Sequence, residues 1–313
     1  MIPITEFNNL SLVSDDVKDA MIKSFELRMK YFGDEIIFFP EPYTPLSVTG
    51  LNCELNCRHC SKHYLRHMID ASDERRLISS AIALKKKGKR GIILSGGSLR
   101  DGSVPTYKFS DAIKEARRLT GLHLSAHTGI VDESRAKMLK DYGLEVALVD
   151  VIGDDETIHE IFGIELSSED YRETLRNLSN AGIKLAPHII VGLYNSKLKG
   201  EFNALRIVKD FSPMVVVIVV FIPTENTPME HLEQPSIEDV VKVIVKAREM
   251  FYETPIALSC VRPGGRYRSI LDEYAIFSGI DRIAVPSKNA YKVAERLGLE
   301  IKVEDKECCT LEV

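Results

Sequence analysis

Short runs of β-branched and aliphatic residues alternate with amphipathic segments from about residue 44 onward. Runs of this kind without polar alternation predict strands that are buried on both faces, as in a parallel sheet. The segments between them have helical periodicity, and several begin with Ser, Asp or Glu and end at Gly, as helix caps do. The repeated strand and helix predict a parallel α/β protein. The predicted strands are residues 44–50, 91–97, 122–128, 146–153, 184–193, 214–223, 255–263 and 282–286.

Eight strands are the number that closes a TIM-type (β/α)8 barrel, so we expect this α/β fold over residues 44–298. Residues 1–43 are predicted to form an N-terminal extension, with a helix from about Asp15 to Phe32 and then the short strand "EIIFF". Residues 299–313 are predicted to form a cysteine-bearing C-terminal tail. A chain of 313 residues is long enough for one barrel with these additions.

Composition and charge exclude several classes of protein. Apolar residues make up 44% of the chain and charged residues 28%, which is ordinary for a soluble globular protein. A formal net charge of -5, with acidic and basic residues interleaved, gives no basic surface for nucleic acid. The longest apolar run, residues 214–223, is too short to span a bilayer, and the first ten residues lack a signal-peptide pattern. We therefore expect a cytoplasmic protein that binds neither nucleic acid nor a membrane.

Polar residues follow almost every predicted strand. In a TIM-type barrel the active site lies at the C-terminal ends of the strands, so these residues should share one mouth. In strand order they are the segment from Cys53 to Cys60, the segment from Ser95 to Ser98, His127, Asp150 with Asp154, His188 with Gly192, the segment from Thr224 to Asn226, and the segment from Cys260 to Arg268.

The stretch "CELNCRHC" after the first strand places Cys53, Cys57 and Cys60 within eight positions. In a reducing compartment, clustered cysteines are metal ligands more often than disulfides. Three thiolates on a short loop can hold three irons of a [4Fe-4S] cluster and leave the fourth iron without a protein ligand. The alternative is a zinc site, which usually takes four ligands and could include His59, His63 or His67.

The C-x3-C-x2-C spacing resembles the characteristic motif of the radical S-adenosylmethionine (SAM) superfamily. This resemblance implies that the open iron binds the amino and carboxylate groups of SAM. It also implies that electron transfer from the cluster breaks a carbon-sulfur bond of SAM to give a 5'-deoxyadenosyl radical. His59 stands where these enzymes often have an aromatic residue, and a planar imidazole could still pack on adenine.

Two further segments carry the resemblance. "LSGGS", residues 94–98, corresponds to a Gly-Gly-Glu segment that binds the methionine amino group, although Ser98 stands where an acid is common. "HIIVGL", residues 188–193, resembles the fifth-strand stretch that lies along the adenine. The resemblance identifies no catalytic residue. It implies that the SAM-binding residues are Ser95, Gly96, Gly97, Ser98, His127, Asp150, His188 and Gly192.

Three more cysteines lie outside the motif. Cys260 follows the seventh strand, and Cys308 and Cys309 are adjacent in the tail. If the tail folds over the barrel mouth, these three could bind a second, auxiliary iron-sulfur cluster facing the first; the alternative is that they bind nothing. Two clusters with a substrate between them suggest sulfur insertion, with the auxiliary cluster as the sulfur source. The fourth auxiliary ligand stays open among solvent, sulfide and Ser259, Arg262, Arg266 or Ser269.

The likeness to biotin synthases and lipoyl synthases covers most of residues 40–300 and includes "IALSCVRPGGRYR" and "GIDRIAVPS". The chain departs from common lipoyl synthases because no cysteine precedes Cys53, and from biotin synthases because it lacks their cysteines on interior strands. The closest resemblance is to the biotin-synthase-related subunits of the two-component archaeal lipoate synthase. It rests on "LSGGS", "HTGIVDE", "DVIGDDETIHEIFG" and the Cys-Cys tail.

That resemblance implies sulfur insertion into an octanoyl chain on a lysine of a lipoyl-domain or glycine-cleavage carrier protein. It implies as partners a second lipoate synthase subunit and a ferredoxin-type electron donor. Three alternatives stay open: a biotin synthase acting on dethiobiotin, a radical SAM enzyme whose tail cluster relays electrons, and a structural or sensory zinc or iron-sulfur protein. A ureido ring needs convergent hydrogen-bonding groups, whereas an octanoyl chain needs an apolar channel, and the sequence alone does not separate the two.

Overall fold

Eleven parallel strands form one curled sheet in the part of the chain that the structure, a computed structural model, describes: residues 4–41 and 43–311. The remaining residues of the predicted extension and tail lie outside that part. The strands are β1 (Glu35–Phe39), β2 (Leu46–Ser47), β3 (Ile69–Asp70), β4 (Gly91–Ser95), β5 (His123–His127), β6 (Val146–Asp150), β7 (Lys184–Val191), β8 (Val216–Val220), β9 (Ile256–Leu258), β10 (Arg282–Ala284) and β11 (Glu300–Val303).

The strand order is β11-β1-β10-β9-β8-β7-β6-β5-β4-β2-β3. Strands β2 and β4 to β10 are the eight predicted strands, in sequence order around the curl, so the predicted α/β barrel topology is confirmed. The predicted strand "EIIFF" is also present as β1, and it lies between β10 and β11 in the same sheet. Strands β3 and β11 were not predicted. The sequence therefore missed the two strands that end the sheet, each of four residues or fewer.

Helices cover the outer face of the sheet, and α1 packs against α8 and α9. The predicted helix caps are confirmed at Asp73, Asp132 and Ser236, each of which accepts a hydrogen bond from the first turn of its helix. No helix in the described ranges is long and apolar enough to cross a membrane. The helices are α1 (Asp15–Phe32), α2 (Glu74–Lys86), α3 (Ser110–Thr120), α4 (Glu133–Asp141), α5 (Asp155–Thr157), α6 (Ser168–Asn180), α7 (Glu201–Lys209), α8 (Ile237–Met250), α9 (Gly265–Phe277) and α10 (Lys288–Arg296).

The sheet is apolar on both faces. Strand β8 illustrates why polar and apolar residues do not alternate along the strands. Val216, Ile218 and Val220 belong to the large core between the sheet and the helices. Val217 and Val219 point the other way, into a second core inside the curl. Because successive side chains of a strand face opposite sides, burial of both faces requires cover on each side, which here is helices outside the curl and packed side chains inside it.

The C-terminal tail fills part of this interior from the N-terminal ends of the strands. Cys309 and Leu311 belong to the inner core. The carbonyl of Lys306 accepts a hydrogen bond from the amide of Arg90, which directly precedes β4. The expectation that the tail folds over the barrel mouth is therefore wrong, because the tail closes the opposite end.

A buried charge cluster joins the extension to the barrel. Asp281, just before β10, pairs with Arg248 of α8 and lies 3.6 Å from Nε of Arg28 in α1. Arg248 also donates to the carbonyl of Gly279 at 3.1 Å. All three charged side chains are almost completely buried, so the carboxylate compensates two guanidinium groups that water does not reach.

We expect Asp281→Ala to lower the free energy of unfolding by about 3–5 kcal/mol, since it leaves two buried guanidinium groups without their counter-charge. Denaturant titration followed by circular dichroism measures the change. Asp15→Ala is the control, because Asp15 pairs with Lys18 at the surface and its loss should cost about 0–1 kcal/mol. Equal stability of the two variants would contradict this account of the buried cluster.

Candidate active site

The three-cysteine loop lies at the C-terminal end of β2, as predicted. Sulfur atoms of Cys57 and Cys60 and a ring nitrogen of His59 all lie within 4.8 Å of one another. The amide of Ser61 donates to the carbonyl of Cys57 at 2.9 Å, so the loop folds back on itself. All six cysteines of the chain are free thiols, which leaves them available as ligands.

Electrostatics favour thiolate character in this loop. A hydrogen bond from Cys57 lowers the pKa of Cys60, and the neighbouring His59 lowers it further. The same hydrogen bond raises the pKa of Cys57, with burial and the charges of Cys60 and Cys53 adding to the effect. Neighbouring thiolates repel one another. A metal centre offsets that repulsion, because thiolates are the form that binds metal. The group whose ligand atoms lie within 4.8 Å of one another contains two thiols and one imidazole, and Cys53 is not part of it.

The predicted "LSGGS" segment packs directly against the cysteine loop. A Cβ atom on Gly97 would lie 2.5 Å from Cβ of Cys53 and closer still to the carbonyl oxygen of Asn52. The carbonyl of Ser98 accepts a hydrogen bond from the amide of Glu54 at 2.9 Å. Only glycine allows this approach, so the end of β4 fixes the position of the loop after β2.

A second glycine turn lies at the end of β7. Gly192 has φ +78°, and its amide donates to Oε1 of Glu201 at 2.8 Å. The other oxygen of Glu201 accepts from the amide of Lys199, also at 2.8 Å. Burial raises the pKa of Glu201, and these backbone donors oppose that effect. The sequence analysis missed Glu201, although an acid in the first turn of a helix after a strand-end glycine is a recognisable signal.

His127, His188 and Asp150 come together in the barrel mouth. The two imidazole rings lie 5.4 Å apart, and the register of β6 with β7 places Asp150 opposite His188. Burial lowers the pKa of His188 to about 4 and also lowers that of His127. Both rings are therefore neutral at pH 7, and they present uncharged hydrogen-bonding groups beside one carboxylate.

Tyr171 of α6 connects this group with the cysteine loop. Burial raises the pKa of Tyr171, and the negative charges of Asp150 and Cys57 raise it further. One side chain thus lies within electrostatic range of both predicted groups, so they share one mouth. The sequence analysis missed Tyr171, because nothing in its helical context distinguishes it from a core residue.

The remaining strand-end residues have structural partners. Asp154 accepts hydrogen bonds from the amide and the hydroxyl of Thr157, and it caps α5. Thr224, after β8, lies 3.2 Å from the hydroxyl of Tyr64. That contact joins the end of the cysteine loop to the opposite side of the mouth.

Cys309 belongs to the inner core, and Cys260 and Cys308 pack against the same core. Burial raises the pKa of Cys260, and a hydrogen bond with Cys308, followed by burial, raises that of Cys309. A hydrogen bond from Cys309 lowers the pKa of Cys308 to about 7. The hydroxyl of Thr310 donates to the sulfur of Cys308 at 3.3 Å. The three thiols thus border one core, but they are not a group whose ligand atoms all lie within 4.8 Å of one another.

Arg262 supports the loop that carries Cys260. Its guanidinium donates to Oδ1 of Asp272 at 2.8 and 3.1 Å and to the carbonyl of Ala284 at 2.7 Å. The side chain of Arg262 is completely buried. The predicted candidate Arg262 thus holds the loop in place, and its donors already have partners.

Two clefts, of about 610 and 400 Å³, lie at the other end of the barrel. Both are lined by residues around His123 and Glu145, near the starts of β5 and β6. None of the predicted SAM-binding residues or cysteines lines them. We therefore place the active site at the mouth, where the thiols and the buried imidazoles are.

Comparison with known proteins shows what the chain is similar to. The family model described as the Radical SAM superfamily matches residues 47–199. A biotin synthase of Clostridium botulinum strain Hall is 24% identical over 310 residues, which cover 93% of this chain and 92% of that protein. A biotin synthase of Methylacidiphilum infernorum is 25% identical over 255 residues, covering 78% and 79%.

Solved structures show the same fold. Methylornithine synthase (PylB) has a TM-score of 0.66 at 17% identity, with 95% of this chain and 92% of that chain covered. HydG, a maturase of the [FeFe]-hydrogenase, has a TM-score of 0.68 at 15% identity, with 95% and 74% covered. The matched family segment runs from β2 to the turn before α7, and biotin synthases align along nearly the whole chain. The chain therefore has a radical SAM segment over residues 47–199 and is similar to biotin synthases along nearly its whole length.

Proposed function

We propose that this enzyme inserts sulfur into an octanoyl chain carried by a protein, as one of two cooperating lipoate synthase subunits. The observation that supports the proposal best is the second group of thiols: Cys260, Cys308 and Cys309 border the same inner core of the barrel. Sulfur insertion needs a sulfur source within reach of the activated carbon. An auxiliary iron-sulfur cluster on these three cysteines would be that source.

The radical SAM segment implies a [4Fe-4S] cluster and SAM as cofactors, and the mouth fits them. Cys53, Cys57 and Cys60 would ligate three irons, and Gly97 leaves no side chain between the loop and the end of β4. When bound, the cluster and SAM together supply the chemistry that removes a hydrogen atom from an unactivated carbon. The protein orients these groups and excludes water.

The residues around the cysteine loop divide into two groups by position. Those at the end of β4 contact the loop, so they would bind the methionine part of SAM. Those at the ends of β5, β6 and β7 lie across the mouth, where neutral imidazoles and a carboxylate suit hydroxyl groups of a ribose or of a substrate. The first group is Ser95, Gly96, Gly97 and Ser98, and the second is His127, Asp150, His188 and Gly192.

An octanoyl chain suits the surroundings of the second thiol group. Aliphatic side chains of Leu148, Ile190 and Val219 belong to the same inner core as these cysteines, and they offer an apolar wall. Leu51 and Val261, which follow β2 and β9, are 64% and 39% exposed. An apolar rim of this kind suits docking of an octanoylated lipoyl-domain or glycine-cleavage carrier protein. A second lipoate synthase subunit and a ferredoxin-type electron donor would complete the system.

Biotin synthase activity on dethiobiotin is the second candidate. The identity of 24% to a curated biotin synthase along nearly the whole chain favours it. The same two cysteine groups would serve, since that reaction also inserts sulfur. The candidates differ in the substrate, so a direct comparison of substrates decides between them.

We expect about eight irons per chain after anaerobic reconstitution and about four in the variant with Cys260, Cys308 and Cys309 all changed to Ala, because each cubane holds four. Iron and acid-labile sulfide assays measure the change. The control variant with Cys53, Cys57 and Cys60 changed to Ala should also retain about four irons but lose SAM cleavage. Four irons in the wild type and in the first variant would contradict an auxiliary cluster.

Gly97→Ala should remove the cluster of the mouth and spare the auxiliary one, because the added Cβ would displace the backbone beside Cys53. We expect iron to fall to about four per chain and SAM cleavage to fall at least in proportion. Gly264→Ala is the matched control, since φ of Gly264 is -89° and its Cβ would meet nothing within 4 Å. Full iron and full SAM cleavage in Gly97→Ala would show that the close approach does not position the loop.

With SAM, a reductant and an octanoyl-lysyl peptide, we expect the reconstituted enzyme to give a peptide whose mass has increased by sulfur. Dethiobiotin, offered in parallel, should stay unchanged. The triple variant at Cys260, Cys308 and Cys309 serves as the control, because it should cleave SAM without adding sulfur. Conversion of dethiobiotin with no change of the peptide would replace the first candidate by the second. SAM cleavage without sulfur in either product would point to an electron relay.

A further inference from the structure

The tail is attached to the barrel at two places, both near the N-terminal ends of the strands. The first is a group that we name the tail clamp: Tyr43, Arg90 and Glu307. The hydroxyl of Tyr43 lies 2.7 Å from the carbonyl of Lys306 and 2.9 Å from Oε2 of Glu307. Nε of Arg90 lies 2.8 Å from Oε1 of Glu307, whose side chain is only 3% exposed. A buried carboxylate with two such partners is a strong attachment.

The second attachment is Arg282, the first residue of β10. Its Nη1 donates to the carbonyl of Cys309 at 3.0 Å and to that of Leu311 at 2.7 Å. These carbonyls flank Thr310, whose hydroxyl donates to the sulfur of Cys308. Arg282 therefore fixes the backbone on both sides of the residue that orients Cys308.

Neither attachment touches the cysteine loop of the mouth. The loop is held by the end of β4 and by the carbonyl of Ile161, which accepts a hydrogen bond from the amide of Arg58. The tail is held by Arg282 and by the tail clamp, at the starts of β10 and β4. Separate parts of the chain thus build the two thiol groups.

We propose that Arg282 and the tail clamp are positioning residues for the auxiliary cluster, which hold Cys308 and Cys309 against Cys260 independently of the SAM site. This inference rests on the proposed function, because it assigns the role of ligands to the tail cysteines. Fixed attachment matters here because the tail adds its cysteines from outside the βα framework. Without these contacts, a short segment would have no preferred place in the interior.

The tail clamp lies beside a cleft at the N-terminal end of the barrel, so the auxiliary site can be reached from that end. The cleft of about 400 Å³ is lined by Arg90, Glu307 and Leu311, so solvent reaches the clamp from the N-terminal end. Release of the tail on this side would expose Cys308 and Cys309 and leave the mouth intact. A cluster that is consumed as a sulfur source can then be rebuilt through this end.

The test compares Arg282→Met with Arg296→Met in the reconstituted full chain. Arg296 is also an arginine with acidic partners, Glu6 and Glu273, but it lies on α10 outside the barrel. We expect Arg282→Met to fall from about eight irons to about four and to retain the change that SAM causes in the electron paramagnetic resonance spectrum of the remaining cluster. Arg296→Met should keep all of its iron. Full iron in Arg282→Met would overturn the proposal, and so would loss of both clusters in a folded Arg282→Met.

Hydrogen exchange of the apo protein gives a readout that needs no cluster. Loss of a charged hydrogen-bond donor should speed exchange of the amides of residues 305–311 by about tenfold to a hundredfold, with exchange in β5 to β7 unchanged. Tyr43→Phe keeps the ring and removes only the hydroxyl, so it should produce a smaller increase in the same segment, and it serves if Arg282→Met fails to fold. Unchanged exchange in both variants would overturn the attachment itself.

The two readouts separate this inference from the proposed function. Faster tail exchange in Arg282→Met, together with only four irons in the wild type, would mean that the attachment exists but the auxiliary cluster does not. Eight irons in the wild type and in Arg282→Met would keep the auxiliary cluster and reject Arg282 as its positioning residue.

Discussion

The inner face of the curled sheet must be filled, and the rest of the structure depends on how this chain fills it. TIM-type barrels usually pack bulky branched side chains into the interior. Here β7, β9 and β10 contribute the small residues Ala186, Ala257 and Ala284 to the inner core. Cys309 and Leu311 of the tail belong to the same core. The tail is therefore part of the packing that fills the inner face of the sheet.

This arrangement places the cysteine loop and the attachments of the tail at opposite ends of the barrel. A strand of five residues, such as β4, is about 17 Å long. The loop after β2 lies at one end of this length, and the attachments of the tail lie at the other. Strand length thus separates the cysteine loop from the attachments of the tail.

The sequence predicted the parts of the fold that local patterns encode. Apolar runs located the eight strands, capping residues located helix starts, and the spacing of Cys53, Cys57 and Cys60 located the metal-binding loop. The position of β1 between β10 and β11 could not be predicted, because pairing with strands more than 200 residues away leaves no mark in a five-residue pattern. Asp154, a strand-end acid in the sequence, caps α5 in the structure, and a strand-end acid and a helix cap look alike in sequence.

The position of the tail shows most clearly that local sequence patterns do not predict long-range contacts. Two adjacent cysteines near a terminus show that thiols are present. They do not indicate from which end of the barrel these thiols reach the interior. That direction depends on three long-range features: the alanines of the inner face, the guanidinium of Arg282 and the carboxylate-binding partners of Glu307. None of these features stands out in its local sequence. Only the packing shows that together they determine the direction of the tail. The contacts of the tail thus lie at the N-terminal ends of the strands, opposite the cysteine loop.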